Sequence, residues 1–220
     1  MILSTHPQGS PEWLADRVGL ATASRAGDIV ATIKSGEAAA RRDYRWELIC
    51  EQLTGEAQPG GFISEAMQRG TDMEPIARAA YEVRTGSLVM EAGFARHDTI
   101  QAGASVDGQT NNWAGLVEIK CPKTATHIRY LRSEKIPSIY LPQIIHQAWI
   151  TGARWVDFVS FDDRVPANLQ LFHMGCHIEE DVIQDHEAAV VAFLSEVQDE
   201  VSALRAFNHP RRSSPPSSRK

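Results

Sequence analysis

At Ser87 the hydrophobic period of this chain changes, and nothing else in the sequence limits its fold so tightly. Before that residue apolar side chains recur three or four apart, and after it they alternate. A chain of this kind commits its first segment to helices and its next to strands. Residues 88–95, 100–106 and 114–121 read as three strands, separated by 96–99 and by the turn-forming cluster 107–112. Connections this short predict an antiparallel meander. Upstream, Leu14, Val18 and Ala21 share a helical spacing, as do Ile29 and Ile33, and a stronger periodic segment runs from Tyr44 to Leu53 before the 55–61 loop. Residues 64–85 read as one or two helices, stopped by Gly86. Downstream, helices are expected at 123–133 and 140–152, and strands at 155–161 and 170–177. A last helix over 179–204 has Val182, Ala189, Val190, Phe193, Val197, Val201 and Leu204 as core candidates. The order predicts an α+β fold with helices packed on a central mixed β-sheet.

At 220 residues the chain can bury one sizeable core, and residues 1–207 read as a single domain. Residues 208–220, rich in Pro, Ser and Arg, read as a basic disordered tail with no assigned role. No apolar run approaches a membrane span, and residues 1–8 lack the features of a signal peptide, so no membrane partner and an intracellular location are expected. The net charge of −6 excludes a uniformly basic coat for nucleic acid. Any such contact must use a local concentration of cations, and there are two: Arg41, Arg42 and Arg45, and Arg129, Arg132 and Lys135. A solvated helix face explains each equally well. Cys50, Cys121 and Cys176 are too scattered for a disulfide framework or an iron–sulfur set and read as buried thiols. His173 and His177 have HxxxH spacing, but Gly175 and their strand-like surroundings argue against a zinc pair.

The segment from Ala104 to Pro122 carries the chemistry. On a strand, Glu118 and Lys120 project to one face and Val117, Ile119 and Cys121 to the other. Asp107 ends the preceding strand, eleven residues before Glu118, and a hairpin can bring the two carboxylates together. Adjacent carboxylates repel, and each has a raised pKa unless a cation neutralises them; a hard divalent ion is the natural partner, and Mg²⁺ fits best. Such an ion supplies a water nucleophile and offsets phosphate charge, while Lys120 can orient or deprotonate that water or stabilise the developing oxyanion. The reaction implied is phosphodiester hydrolysis. By itself an ExK triplet is weak, since exposed strands commonly carry such pairs.

Several ordered motifs extend the reading. Residues 17–24 (RVGLATAS) resemble an RxGxxTAS segment, residues 70–78 (GTDMEPIAR) a GxxxE helix, residues 105–108 (SVDG) an SPDG turn, residues 116–122 (LVEIKCP) an LELKCP strand, and residues 140–149 a YxxQ helix. In this order they resemble the phage lambda-type exonucleases, or YqaJ-like viral recombinases, of the PD-(D/E)xK nuclease superfamily. That resemblance implies a restriction-endonuclease-like core. It implies that Asp107, Glu118 and the backbone carbonyl of Ile119 ligate Mg²⁺, with Mn²⁺ able to substitute, and that Lys120 is the catalytic lysine. Glu74 reaches the metal directly or through water, and Gln143 holds the lysine or the phosphate. Gln147 is an open alternative to Gln143. Arg17, Ser24 and Ser105 are implied to bind the 5′ phosphate and DNA. Other accounts stand beside these: a capping box, Thr71-x-x-Glu74, for Glu74; an N-cap for Ser24; and a core position for Trp13. Val106 replaces the proline of the PD signature.

The resemblance further implies 5′→3′ digestion of one strand from double-stranded DNA ends, leaving a 3′ single strand for an annealing protein. It also implies a homotrimeric ring whose channel alone need be positive, and a cytoplasmic setting in a bacterial host, as a phage or prophage product. The alternatives are a relative that cuts internally or prefers single strands, and, from another class, a non-catalytic DNA-end-binding module.

Overall fold

The computed structural model describes residues 1–58 and 65–207. The 208–220 segment and the end of the 55–61 loop lie outside the described residues. Two four-stranded sheets form the centre. The first has the order β1 (Ile2–Leu3), β3 (Phe94–Arg96), β4 (Ala102–Ser105) and β2 (Ala21–Thr22); the second runs β5 (Gly108–Thr110), β6 (Gly115–Lys120), β7 (Trp155–Phe161) and β8 (Leu171–His177). Each is mixed: β2 is parallel to β4 and β6 to β7, and the other pairs are antiparallel. Parallel strands require a long crossover. Between β6 and β7 it is built from α5 (Thr124–Ser133) and α6 (Leu141–Thr151).

The meander expected over 88–121 does not form, and the single central sheet is divided. Residues 88–93 contribute only an isolated bridge, Met90 to Gln109. The β3–β4 hairpin belongs to the first sheet, whereas β6 pairs with β5 in the second. Between them the chain crosses from one sheet to the other at Val106 and Asp107. The next residue, Gly108, has to be glycine, because a Cβ there would stand 2.2 Å from Val89 Cγ1. Asp107 thus sits where the two sheets part.

The early helices are α1 (Pro11–Ala15), α2 (Ala26–Ile29), α3 (Ala39–Thr54) and α4 (Glu65–Thr85). Ala21 lies in β2 and not on a helix, because the run is broken at Gly19, whose φ of +71° suits glycine. The Gly19 N–H is donated to the buried Glu51 Oε2 at 2.7 Å. Ile33 falls beyond α2 and is exposed. The last helix, α7 (Glu180–Arg205), buries Val190, Phe193, Val197 and Val201 but exposes Val182 and Leu204. The three cysteines are unpaired and half-buried.

Helix α6 is shared by the two sheets. Its Trp149 and Ile150 join α7 and the alanines of β2, β3 and β4, while its Ile144 and Ala148 cover Leu116, Val156 and Phe158 of the second sheet. Helix α4 covers the opposite face of that sheet, setting Ala77 and Tyr81 against Val117, Ile119, Val159 and Phe161. Strand β6 is therefore enclosed on both faces.

Candidate active site

Alternation along β6 sends Leu116, Glu118 and Lys120 toward α6 and Val117 and Ile119 toward α4. Glu118 has no exposed surface. A carboxylate so placed is costly unless every oxygen finds a donor. Lys120 Nζ forms an ion pair with Oε1. Gln143 Nε2 donates to Oε1 at 2.7 Å, and Gln147 Nε2 donates to Oε2 at 2.6 Å and to the Ser105 carbonyl at 3.1 Å. The two glutamines are four residues apart and share one side of α6. Both glutamines thus bond Glu118, whereas the resemblance implies that one of them holds the lysine or the phosphate; their i,i+4 spacing is the signal that could have placed them together.

Lys120 is only partly buried, and its Nζ stands 5.4 Å from the Tyr140 ring centre. Burial works against its charge, but the Glu118 and Asp107 carboxylates outweigh it and push the pKa up. In this arrangement Lys120 is held as an ammonium.

Asp107 is served less well. Among the described residues the one hydrogen bond it accepts comes from the Ile119 N–H, at 2.7 Å to Oδ2. Burial raises its pKa well above the usual carboxylate range, and the charges of Glu118 and Glu74 add to this against the opposing Lys120. Because N–H and C=O of one strand residue project to the same side, the Ile119 carbonyl also points to the Asp107 edge. Glu74 lies within α4, which begins at Glu65, so the Thr71-x-x-Glu74 capping box is not formed. Its Oε1 is 3.3 Å from Arg78 Nη2, and its pKa is raised by burial, with Arg78 opposing.

Among the described residues no three His, Cys, Asp or Glu side chains converge closely enough to hold a metal. The donor set nonetheless fits a hard divalent cation. It offers carboxylate oxygens and a backbone carbonyl, no sulfur or imidazole, and an Asp107 carboxyl whose raised pKa a bound cation would offset.

A cavity of about 200 Å³ joins this edge to the first sheet, lined by Trp13, Arg17, Ser24, Ser105, Asp107 and Gln143. Arg17 Nη1 donates to Ser105 Oγ at 2.8 Å, and the guanidinium stacks 4.2 Å from the Trp13 ring centre. Trp13 is therefore a half-buried wall of this cavity and not a core residue. Ser24 lies inside the 3₁₀ turn Ala23–Arg25 and caps no helix. Burial lowers the Arg17 pKa from its high ordinary value, with Tyr44 and Glu51 opposing.

An Asp at the parting of two sheets and a buried Glu-x-Lys on the adjacent strand edge, flanked by helices, define a restriction-endonuclease-like core of the PD-(D/E)xK class. A profile of the YqaJ-like viral recombinase domain matches residues 12–154, and the chain belongs to that family. Two solved structures are similar at 42% identity, each covering 90% of this chain and 97% of its own. They are LHK-Exo in complex with dAMP, with a TM-score of 0.82, and an alkaline exonuclease (LHK-Exo) from Laribacter hongkongensis, with a TM-score of 0.81. A phage related exonuclease from Haemophilus somnus 129PT shares the fold at 14% identity and a TM-score of 0.65, covering 84% of this chain and 96% of its own. No curated protein sequence matches the chain. Among the described residues no helix is long and apolar enough to cross a membrane.

Proposed function

We propose that this chain is a Mg²⁺-dependent 5′→3′ exonuclease of double-stranded DNA. On this reading it digests one strand from an end and leaves a 3′ single strand for an annealing protein. The observation that carries the reading is the pairing of a fully hydrogen-bonded Glu118 with a sparsely bonded Asp107 that lines the cavity holding Arg17, Ser24 and Ser105. Exonuclease relatives at 42% identity support it, as does the mononucleotide dAMP in one of them. Residues 1–207 act as one nuclease domain, working as a homotrimeric ring in the bacterial cytoplasm.

Asp107, Glu118 and the Ile119 carbonyl would hold the cation, and Glu74 would reach it directly or through water. Bound there, Mg²⁺ or Mn²⁺ supplies a Lewis acid and an activated water. The protein's own groups do the rest. Lys120, kept protonated by its carboxylate neighbours, donates to the oxygen on which negative charge develops. Gln143 and Gln147 fix the Glu118 rotamer, so that its oxygens are preorganised. Arg17 and the hydroxyls of Ser24 and Ser105 receive the terminal 5′ phosphate, and the Trp13 ring limits the freedom of the guanidinium.

Timed digestion of a linear duplex labelled separately at each end, with Mg²⁺ against chelator, tests polarity and metal dependence together. Loss of the 5′ label first, and only with the ion, is expected. Lys120→Ala abolishes cleavage and leaves duplex binding largely intact; an active Lys120→Ala protein removes this mechanism.

A further inference from the structure

The two clusters of cations legible in the sequence have different surroundings. Arg41 is bonded to Glu37 at 2.8 Å and to Glu196 at 2.7 Å, Arg45 to Glu37 at 2.8 Å, and Arg42 to Asp43 at 2.9 Å. That cluster is neutralised in place. Around α5 the cations Lys123, Arg129, Arg132 and Lys135 are all exposed, and among the described residues none has a carboxylate within ion-pair distance. Glu134, in their midst, pairs with none of them.

Two contacts fix where this surface points. His127 is buried under α5, bonded to Ser160 Oγ and the Leu169 carbonyl, both at 2.8 Å. At 100° per residue Arg129 and Arg132 fall on the opposite side of the helix, and Lys123 and Lys135 flank its two ends. Tyr130 sets its edge against Tyr140 at 6.4 Å, and Tyr140 is the ring that faces Lys120 Nζ. The cations thus lie on and at the ends of a helix that starts just after Lys120 and that packs through Tyr130 and Tyr140 toward the candidate cleft.

We propose that Lys123, Arg129, Arg132 and Lys135 form a non-catalytic phosphate-binding surface that holds the backbone of the DNA duplex beside the Lys120 cleft. This rests on the nuclease reading above and extends it to a second set of contacts. A chain of net charge −6 repels DNA over most of its surface, so cations left without acidic partners are where counterion release can favour binding. The neutralised Arg41 cluster has little of that attraction to offer.

The test is fluorescence anisotropy of a labelled duplex titrated in chelator, so that nothing is cut, over a range of salt. It uses the full chain and the variant Lys123→Gln, Arg129→Gln, Arg132→Gln, Lys135→Gln, with thermal melts to verify folding. Each cation–phosphate pairing removed flattens the slope of log K against log salt by about 0.9, so a change of about 3 to 4 and at least about a tenfold loss of affinity near 0.1 M salt are expected. Arg42→Gln, Arg45→Gln serves as the control and shifts neither. An unchanged slope in the quadruple variant, or an equal change in the control, overturns the surface while the digestion assay still supports the nuclease. Dissociation of an assembly by light scattering with the slope unchanged assigns the patch to a second copy and also overturns it. A wild-type chain that binds no duplex takes down this surface and the nuclease reading together.

Discussion

The two sides of β6 solve opposite problems. On the α6 side, Glu118 is buried outright and its oxygens meet an ammonium and two amides, so its charge is compensated from within the protein. On the side of Asp107 and α4, two further carboxylates come into electrostatic range of each other; Arg78 serves Glu74, and among the described residues one backbone N–H serves Asp107. One side is complete and the other is short of donors. A protein gains nothing in stability from leaving buried carboxylates in that condition, and such local strain marks sites where a ligand completes the arrangement. The contrast amounts to a division of labour: amides on α6 set the geometry, and the open edge supplies affinity for a cation.

Asp107 is where this contrast is most sensitive to substitution. Asp107→Asn keeps an acceptor for the Ile119 N–H but removes the carboxylate that the cation would need. Cleavage in Mg²⁺ should fall by about 10³-fold or more, since a missing metal ligand is worth several kcal/mol of barrier. The same variant should melt higher than wild type in chelator, because the repulsion is gone. Adding Mg²⁺ should raise the wild-type melting point, by the equivalent of about 2.7 kcal/mol at a hundredfold excess over Kd, and leave the variant unmoved. A variant that melts lower than wild type without metal would show that the Asp107 side is already balanced. On the complete side the sign reverses. Gln147→Leu strands one oxygen of a buried carboxylate, costing about 1–3 kcal/mol of stability with or without metal. Its kcat should drop by about tenfold, because Glu118 loses its fixed rotamer; equal melting of Gln147→Leu and wild type would dissolve the distinction.

Much of the complete side is legible in the sequence, because it rests on short-range periodicity. Period two places Glu118 and Lys120 together, and a four-residue helical spacing places Gln143 with Gln147. Strand β7 also falls on its expected bounds, and β8 and α7 within a residue of theirs. The other side is legible in its residues but not in its architecture. Asp107 reads as the end of a strand in a meander, whereas it is the crossing between two sheets. The strands on either side of it are only four and three residues long, and which sheet each joins depends on distant contacts such as Val89 against Gly108. Short alanine- and glycine-rich strands carry almost no register information of their own. Trp13 reads as core for a related reason: its partner, Arg17, is local, but the Ser105 that anchors Arg17 is 88 residues away.

A weaker effect concerns how α6 is kept in position. His146, beside Gln147, is fully buried and shares a 3.0 Å hydrogen bond with His186 of α7, a contact that at least one ring must make through an unprotonated nitrogen. Around them, His97 stacks on Trp149, Trp149 packs against both rings, and the Trp149 indole N–H is held by Glu187 at 2.8 Å. Burial lowers His146 to about 3 and His186 to about 4, against about 6.5 in an unfolded chain. The unfolded state therefore binds more protons between about pH 4 and pH 6.5. The stability this pair contributes is present above about pH 6.5 and is lost as the pH falls through that window. Thermal melts in chelator from pH 8 to pH 4 should show the loss, and His186→Gln, which keeps a polar partner for His146 but cannot titrate, should flatten it. Because α6 carries both glutamines, acid should loosen the Glu118 side at a pH where the Asp107 side is still intact. An acid limb equally steep in His186→Gln would mean that α6 is held by its apolar contacts alone, and that the complete side of β6 owes nothing to the histidine pair.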